Sequence, residues 1–96
     1  MMNLLLDWDK EGRMNKNIIV NLSMFVLEQD VYYYENGDCV EKRKVSVNDL
    51  SNTIEQLRKK YQVRKISIAG PADYAAEVGK EISTTFDNCA VEIIPR

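Results

Sequence analysis

The order of element signals constrains this chain more than any single motif does. A long apolar stretch, IIVNLSMFVL from Ile18 to Leu27, leads into VYYYENGDCVEKRKVSV. The Asn36-Gly37 dipeptide inside that segment marks a hairpin, because a type I′ turn needs positive φ at both central residues. Helix, strand, helix and strand signals then follow in turn. Ninety-six residues make one domain.

Strand one is expected over Asn17 to Met24. Ile18, Val20, Leu22 and Met24 fall on one face, and Ile19, Asn21, Ser23 and Phe25 on the other. One face is wholly apolar and the other largely so, which predicts a central strand covered on both sides. Strand two is expected over Val26 to Glu35 and strand three over Asp38 to Val47. A two-residue turn sets Tyr34 opposite Cys39 and Tyr33 opposite Val40. Tyr32, Tyr33 and Tyr34 then point to alternating sides, one packing on the core and the other leaving an aromatic surface. Glu41, Lys42, Arg43 and Lys44 suit a sheet edge, where lysines discourage pairing with another chain.

The first helix is expected to start at Asn48 as N-cap, with Asp49 in its first turn. Leu50, Ile54, Leu57 and Tyr61 form one apolar stripe, and Glu55 with Lys59 makes an i,i+4 pair. Arg58, Lys59 and Lys60 suit the negative end of the helix dipole. Strand four is VRKISIA, Val63 to Ala69. Gly70 and Pro71 turn the chain into a second helix with Ala75, Val78, Ile82 and Phe86 on its buried stripe. Gly79 lies inside that helix at a cost of roughly 1 kcal/mol relative to alanine, which predicts close packing on the sheet. Strand five is CAVEIIP, ended by Pro95.

Apolar residues are 45% and charged residues 29%, which is ordinary globular usage. No apolar run approaches the roughly 20 residues of a membrane span. MMNLLLDWDKEG has no basic start of a secretory signal, so a cytoplasmic setting is expected. Histidine is absent, and Cys39 and Cys89 stand at no metal spacing. That excludes the usual zinc sites and Ser-His or Cys-His catalysis. Both cysteines are expected to be reduced and buried. The net charge of -2 gives no reason to expect nucleic acid or an anionic membrane as partner.

Residues 1–13, MMNLLLDWDKEGR, read unlike the rest. Met14 offers a second start, and Lys10-Glu11-Gly12 can be encoded by a purine-rich ribosome-binding sequence just before it. Two readings stand: a translated leader, or an N-terminal arm in which Leu4, Leu5, Leu6 and Trp8 pack on the body or on a second copy. Residues 14–96 then form the single α/β domain. Asp7 and Asp9 mimic a carboxylate pair, but a leader would not hold them in place.

Three meandering strands, then helix, strand, helix and strand, resemble the ribonuclease H-like fold, a core shared with the actin-like ATPase and sugar kinase superfamily. The stretch from Ile18 to Val47 is similar to that superfamily's opening phosphate motif in its apolar strand, polar turn, Asn-Gly turn and closing Val45-Ser46-Val47. The resemblance implies a five-stranded mixed sheet of order 3-2-1-4-5 with two helices. In that superfamily an aspartate on strand one binds Mg²⁺ or orients the attacking water, and Asn21 occupies its position here. A neutral amide is a poor ligand for a hard dication. Ser23-Met24-Phe25 is bulky where a phosphate cradle uses small polar residues. Asp73 stands near a second carboxylate position, but alone it makes no two-metal site. No metal or cofactor is therefore expected.

Three surfaces remain. The Gly70-Pro71 loop starts a helix, yet Pro71 removes a donor and Asp73 adds negative charge, so a plain turn is the better reading. Arg58, Lys59, Lys60, Arg64 and Lys65 form a basic patch, read either as a nucleic-acid surface or as a solvated helix end. Tyr32, Tyr33 and Tyr34 are read either as an interface or as ordinary strand residues. The leading expectation is a non-catalytic module that binds a protein partner or itself as a homodimer. The setting would be an accessory or inhibitor protein of a bacterium, phage or mobile element. The alternatives are a divergent metal-dependent nuclease or nucleotide phosphotransferase, and an RNA-binding domain.

Overall fold

A computed structural model describes residues 16–96. The expected arm or leader, residues 1–13 with Asp7, Trp8 and Asp9, lies outside the described residues. The chain runs β1 (Lys16–Asn21), β2 (Glu28–Glu35), β3 (Asp38–Ser46), a 3₁₀ turn (Val47–Asp49), α1 (Leu50–Tyr61), β4 (Lys65–Gly70), α2 (Ala72–Thr85) and β5 (Ala90–Pro95). The strands form one sheet in the order β3-β2-β1-β4-β5. β2 runs antiparallel to both β1 and β3, while β1, β4 and β5 are parallel. This is the mixed α/β sheet with two helices that the sequence predicts.

Asn36 and Gly37 form the hairpin turn with φ of 54° and 88°. Tyr34 pairs with Cys39 as expected, but Tyr33 pairs with Glu41 rather than with Val40. Val40 is the extra residue of a β-bulge. A one-residue slip sends every following side chain to the other face, so Glu41, Arg43 and Val45 turn toward the helices. Cys39 is exposed, which corrects its expected burial, because it sits on the edge strand beside the bulge. Cys89 is half-buried, and its thiol donates to the Val63 carbonyl at 3.6 Å.

The buried stripe of α1 is Leu50, Thr53, Ile54 and Leu57, and that of α2 is Ala75, Val78, Gly79 and Ile82. Both meet Ile18, Val20, Leu22, Val31, Tyr33, Ile66 and Ile68 in one core. Asn48 lies within the 3₁₀ turn, and Asp49 takes the cap position without a side-chain cap bond. The Ser46 hydroxyl instead donates to the Asp49 carboxylate at 3.4 Å.

The crossovers β3-α1-β4 and β4-α2-β5 step across the sheet in one direction. Right-handed connections then place both helices on one face. The contacts agree: Tyr61 of α1 stacks on Tyr33, and Gly79 of α2 lies against Ile68 and Ile93. Among the described residues no helix lies on the opposite face, whereas the sequence predicts a central strand covered on both sides. That face is mixed rather than apolar. Lys42, Tyr32, Ile19, Ser67 and Glu92 form one row across it, and Lys44, Asp30, Asn21, Ala69 and Ile94 the next. Ser67 and Ala69 are nevertheless shielded by their longer neighbours.

Candidate functional site

In open α/β sheets the crevice beyond the carboxyl ends of the parallel strands is where ligands bind. Here β1 and β4 finish side by side. The Leu22 N–H still bonds the Ala69 carbonyl at 2.7 Å. Gly70 sits so close that a Cβ on it would lie 2.8 Å from Leu22 Cβ and 3.0 Å from the Leu22 carbonyl oxygen. Pro71 follows as the cap of α2, with Asp73 exposed in the first turn.

Beyond Leu22 the chain leaves the ladder, and β2 begins only at Glu28. The expected strand segments Leu22–Met24 and Val26–Leu27 are therefore loop. Buried Gln29 closes this loop from below. Its Oε1 accepts from the Ser23 N–H at 2.6 Å, and its Nε2 donates to the Ser23 carbonyl at 3.1 Å. The Ser23 amide is thus committed to a side chain, not free for an anion. The four residues that follow point to solvent: Met24 is 60% exposed, Phe25 98%, Val26 52% and Leu27 92%. Beside them runs an open groove of about 670 Å³ lined by Ser23, Val26, Leu27, Glu28, Asp30, Lys44 and Ser46. Lys44 pairs with Asp30 at 3.0 Å, which holds its ammonium above the usual lysine range.

Asn21 lies on the helix-free face between Asp30 of β2 and Ala69 of β4. Its Oδ1 is buried without a hydrogen-bond partner. The carboxylate opposite it, Asp30, is engaged by Lys44. Among the described residues no three His, Cys, Asp or Glu side chains group as metal ligands would.

The structure separates the three tyrosines. Tyr33 is 0% exposed; its ring stacks on Tyr61 at 4.0 Å between centroids, and its hydroxyl donates to Glu35 at 2.8 Å. Burial, with Glu35 second, pushes its phenol well above the ordinary range. Tyr32 and Tyr34 are half-buried on the helix-free face with centroids 6.3 Å apart, and Lys42 Nζ sits 5.6 Å from the Tyr32 centroid.

The basic residues are similarly divided. Arg58 and Lys59 both reach Glu55, at 3.6 and 3.7 Å. Lys60 reaches Glu41 at 3.1 Å, and Lys65 reaches Glu92 at 2.9 Å across the helix-free face. Arg64 is exposed. Acidic neighbours therefore offset most of this patch. Sequence reasoning missed two residues that shape the surface: Gln29, which locks the loop, and Glu41, which gathers Tyr61, Arg43 and Lys60. No local sequence signal marks either, because the bulge and the loop that position them are set by tertiary contacts.

The fold is that of actin-like ATPases and ribonuclease H-like proteins. A Bacteroides thetaiotaomicron protein with an actin-like ATPase fold and unknown function superposes with a TM-score of 0.63 at 13% identity. The match covers 95% of this chain and 37% of that one. Archaeoglobus fulgidus Pelota, a protein described for inter-domain structural plasticity, superposes at 0.56 with 7% identity, over 99% of this chain and 31% of its own. The chain thus spans about a third of each protein's length, and at these identities the likeness concerns the fold alone. No family model matches the chain, and no curated protein matches it in sequence. No helix among the described residues is long and apolar enough to cross a membrane.

Proposed function

We propose that this chain is a protein-interaction module whose contact surface is the apolar loop Met24–Leu27 and the adjoining helix-free face. One observation carries the reading: four consecutive apolar side chains stand more than half exposed on a loop whose base is fixed by Gln29. Contiguous exposed apolar patches mark interaction sites in folded proteins, whereas scattered single residues do not. Fixing the loop before binding lowers the entropy lost on association. Tyr32 and Tyr34 extend the surface with large area and polar tips. The same loop position would serve phosphate binding only with small polar residues, and Phe25 and Leu27 do not supply them. A cytoplasmic accessory or inhibitor protein of a bacterium, phage or mobile element fits this module.

The test compares the wild-type chain with F25S/L27S as immobilised bait against extract of the source cells. A partner retained by the wild type and lost from the variant, at unchanged melting temperature, is the expected result. Equal retention by both overturns the reading. A saturable thermal shift with Mg²⁺ and ATP also overturns it, in favour of a nucleotide-dependent activity.

A further inference from the structure

The two edges of the sheet are built differently. β3 carries exposed Lys42 and Lys44 and the Val40 bulge, all devices that discourage further strand pairing. β5 has neither a lysine nor a bulge, and among the described residues no element lies beyond it. Its backbone polarity follows from its flanking bonds. Ala90 N–H donates to the Arg64 carbonyl at 3.3 Å, and Arg96 N–H to the Gly70 carbonyl at 2.9 Å. A parallel ladder engages alternate residues on each side, so residues 90, 92, 94 and 96 bond toward β4. Val91, Ile93 and Pro95 face outward with two N–H donors and three carbonyl acceptors. Pro95, which has no N–H, occupies an outward position where it wastes no ladder bond.

We propose that two copies of this chain associate by antiparallel pairing of β5 with β5, about a two-fold axis at Ile93. The inference is independent of the loop reading above. In this register the two Ile93 residues exchange a pair of hydrogen bonds, and each Val91 N–H donates to the Pro95 carbonyl of the other copy. Every outward donor is thereby satisfied, and only the Val91 carbonyls remain for water. The alternative register, centred on Glu92, makes four bonds as well but sets the two Glu92 carboxylates directly opposite each other, which is unfavourable. Centring on Ile93 moves Glu92 opposite Ile94 and diagonal to Arg96 of the other copy, a complementary pair. A two-fold contact of this kind is closed, so it ends at a dimer with a ten-stranded sheet rather than a fibre.

Sedimentation velocity of the full chain over a wide concentration range tests this. The wild type is expected to show a reversible monomer–dimer equilibrium. I94E sets like charges opposite Glu92 twice over and should weaken the dimer about tenfold. I94K sets a cation there and should tighten it. V91P removes an outward donor while leaving the ladder to β4 intact, and should abolish the dimer with the fold retained by circular dichroism. Ile94 is exposed, so the Ile94 pair remains decisive if V91P unfolds. A wild type that stays monomeric at every concentration overturns the proposal. So does a dimer that responds alike to I94E and I94K, and so does one abolished by F25S/L27S but indifferent to I94E.

Discussion

Three donors converge on the Glu41 carboxylate: the Tyr61 hydroxyl at 2.7 Å, Arg43 Nε at 2.7 Å and Lys60 Nζ at 3.1 Å. With Tyr61 first and Arg43 second among the causes, they hold its pKa at about 2 against an ordinary 4.5. A depressed carboxyl pKa stabilises the fold fully above the unfolded value, and that contribution is lost as pH falls from 4.5 through about 2. E41Q should therefore cost about 1–2 kcal/mol at neutral pH, allowing for solvent screening. The difference from wild type should shrink across that acid window when urea unfolding is followed against pH. Gly70 gives a second test. Its φ of 157° and the Leu22 backbone beside it leave no room for a Cβ, so G70A should lower stability by about 2 kcal/mol in the same assay. Cys89 should react slowly with thiol reagents, because burial pushes its pKa up.

Gly79 shows what an element gives up to fit its neighbours. Alanine there would gain about 1 kcal/mol of helix propensity. Its methyl would also meet Ile93 Cδ1, the far end of a half-buried side chain that has to turn aside, which offsets that gain. G79A should therefore gain less than the full helix propensity, and I93V, which removes the methyl in the way, should restore the gain; a double-mutant cycle in urea reads this as a coupling between the two. The element order, the sheet order and the helix stripes were legible because each rests on local periodicity and turn chemistry. Asn36-Gly37 and the Leu50, Ile54, Leu57 series are of that kind. Met24, Val26 and Leu27 are apolar in a way that predicts strand, yet they stand on an exposed loop whose base at Ser23 is held by Gln29, a contact the local pattern does not encode. The bulge at Val40 has no composition of its own, so the sequence did not suggest the placement of Glu41 beneath α1. The helix-free face was hidden for a different reason: alternation along β1 reports what could be covered, while the hand of the crossovers decides what is.

For the molecule as a whole, the exposed loop makes F25S/L27S a separation-of-function variant. Its melting temperature should stay with the wild type, since neither side chain is buried, while binding of a hydrophobic dye such as ANS should fall. β1 holds the sheet together, with β2 on one side and β4 on the other. Its antiparallel partner follows within a short loop, but its parallel partner comes only after β3 and α1 have been made. During synthesis β1 therefore leaves the ribosome long before its second neighbour exists. Ile18 and Val20, both wholly buried in the finished protein, must wait half-protected on the nascent hairpin. That interval is when a chaperone, or a misplaced strand from another chain, competes for the same edge.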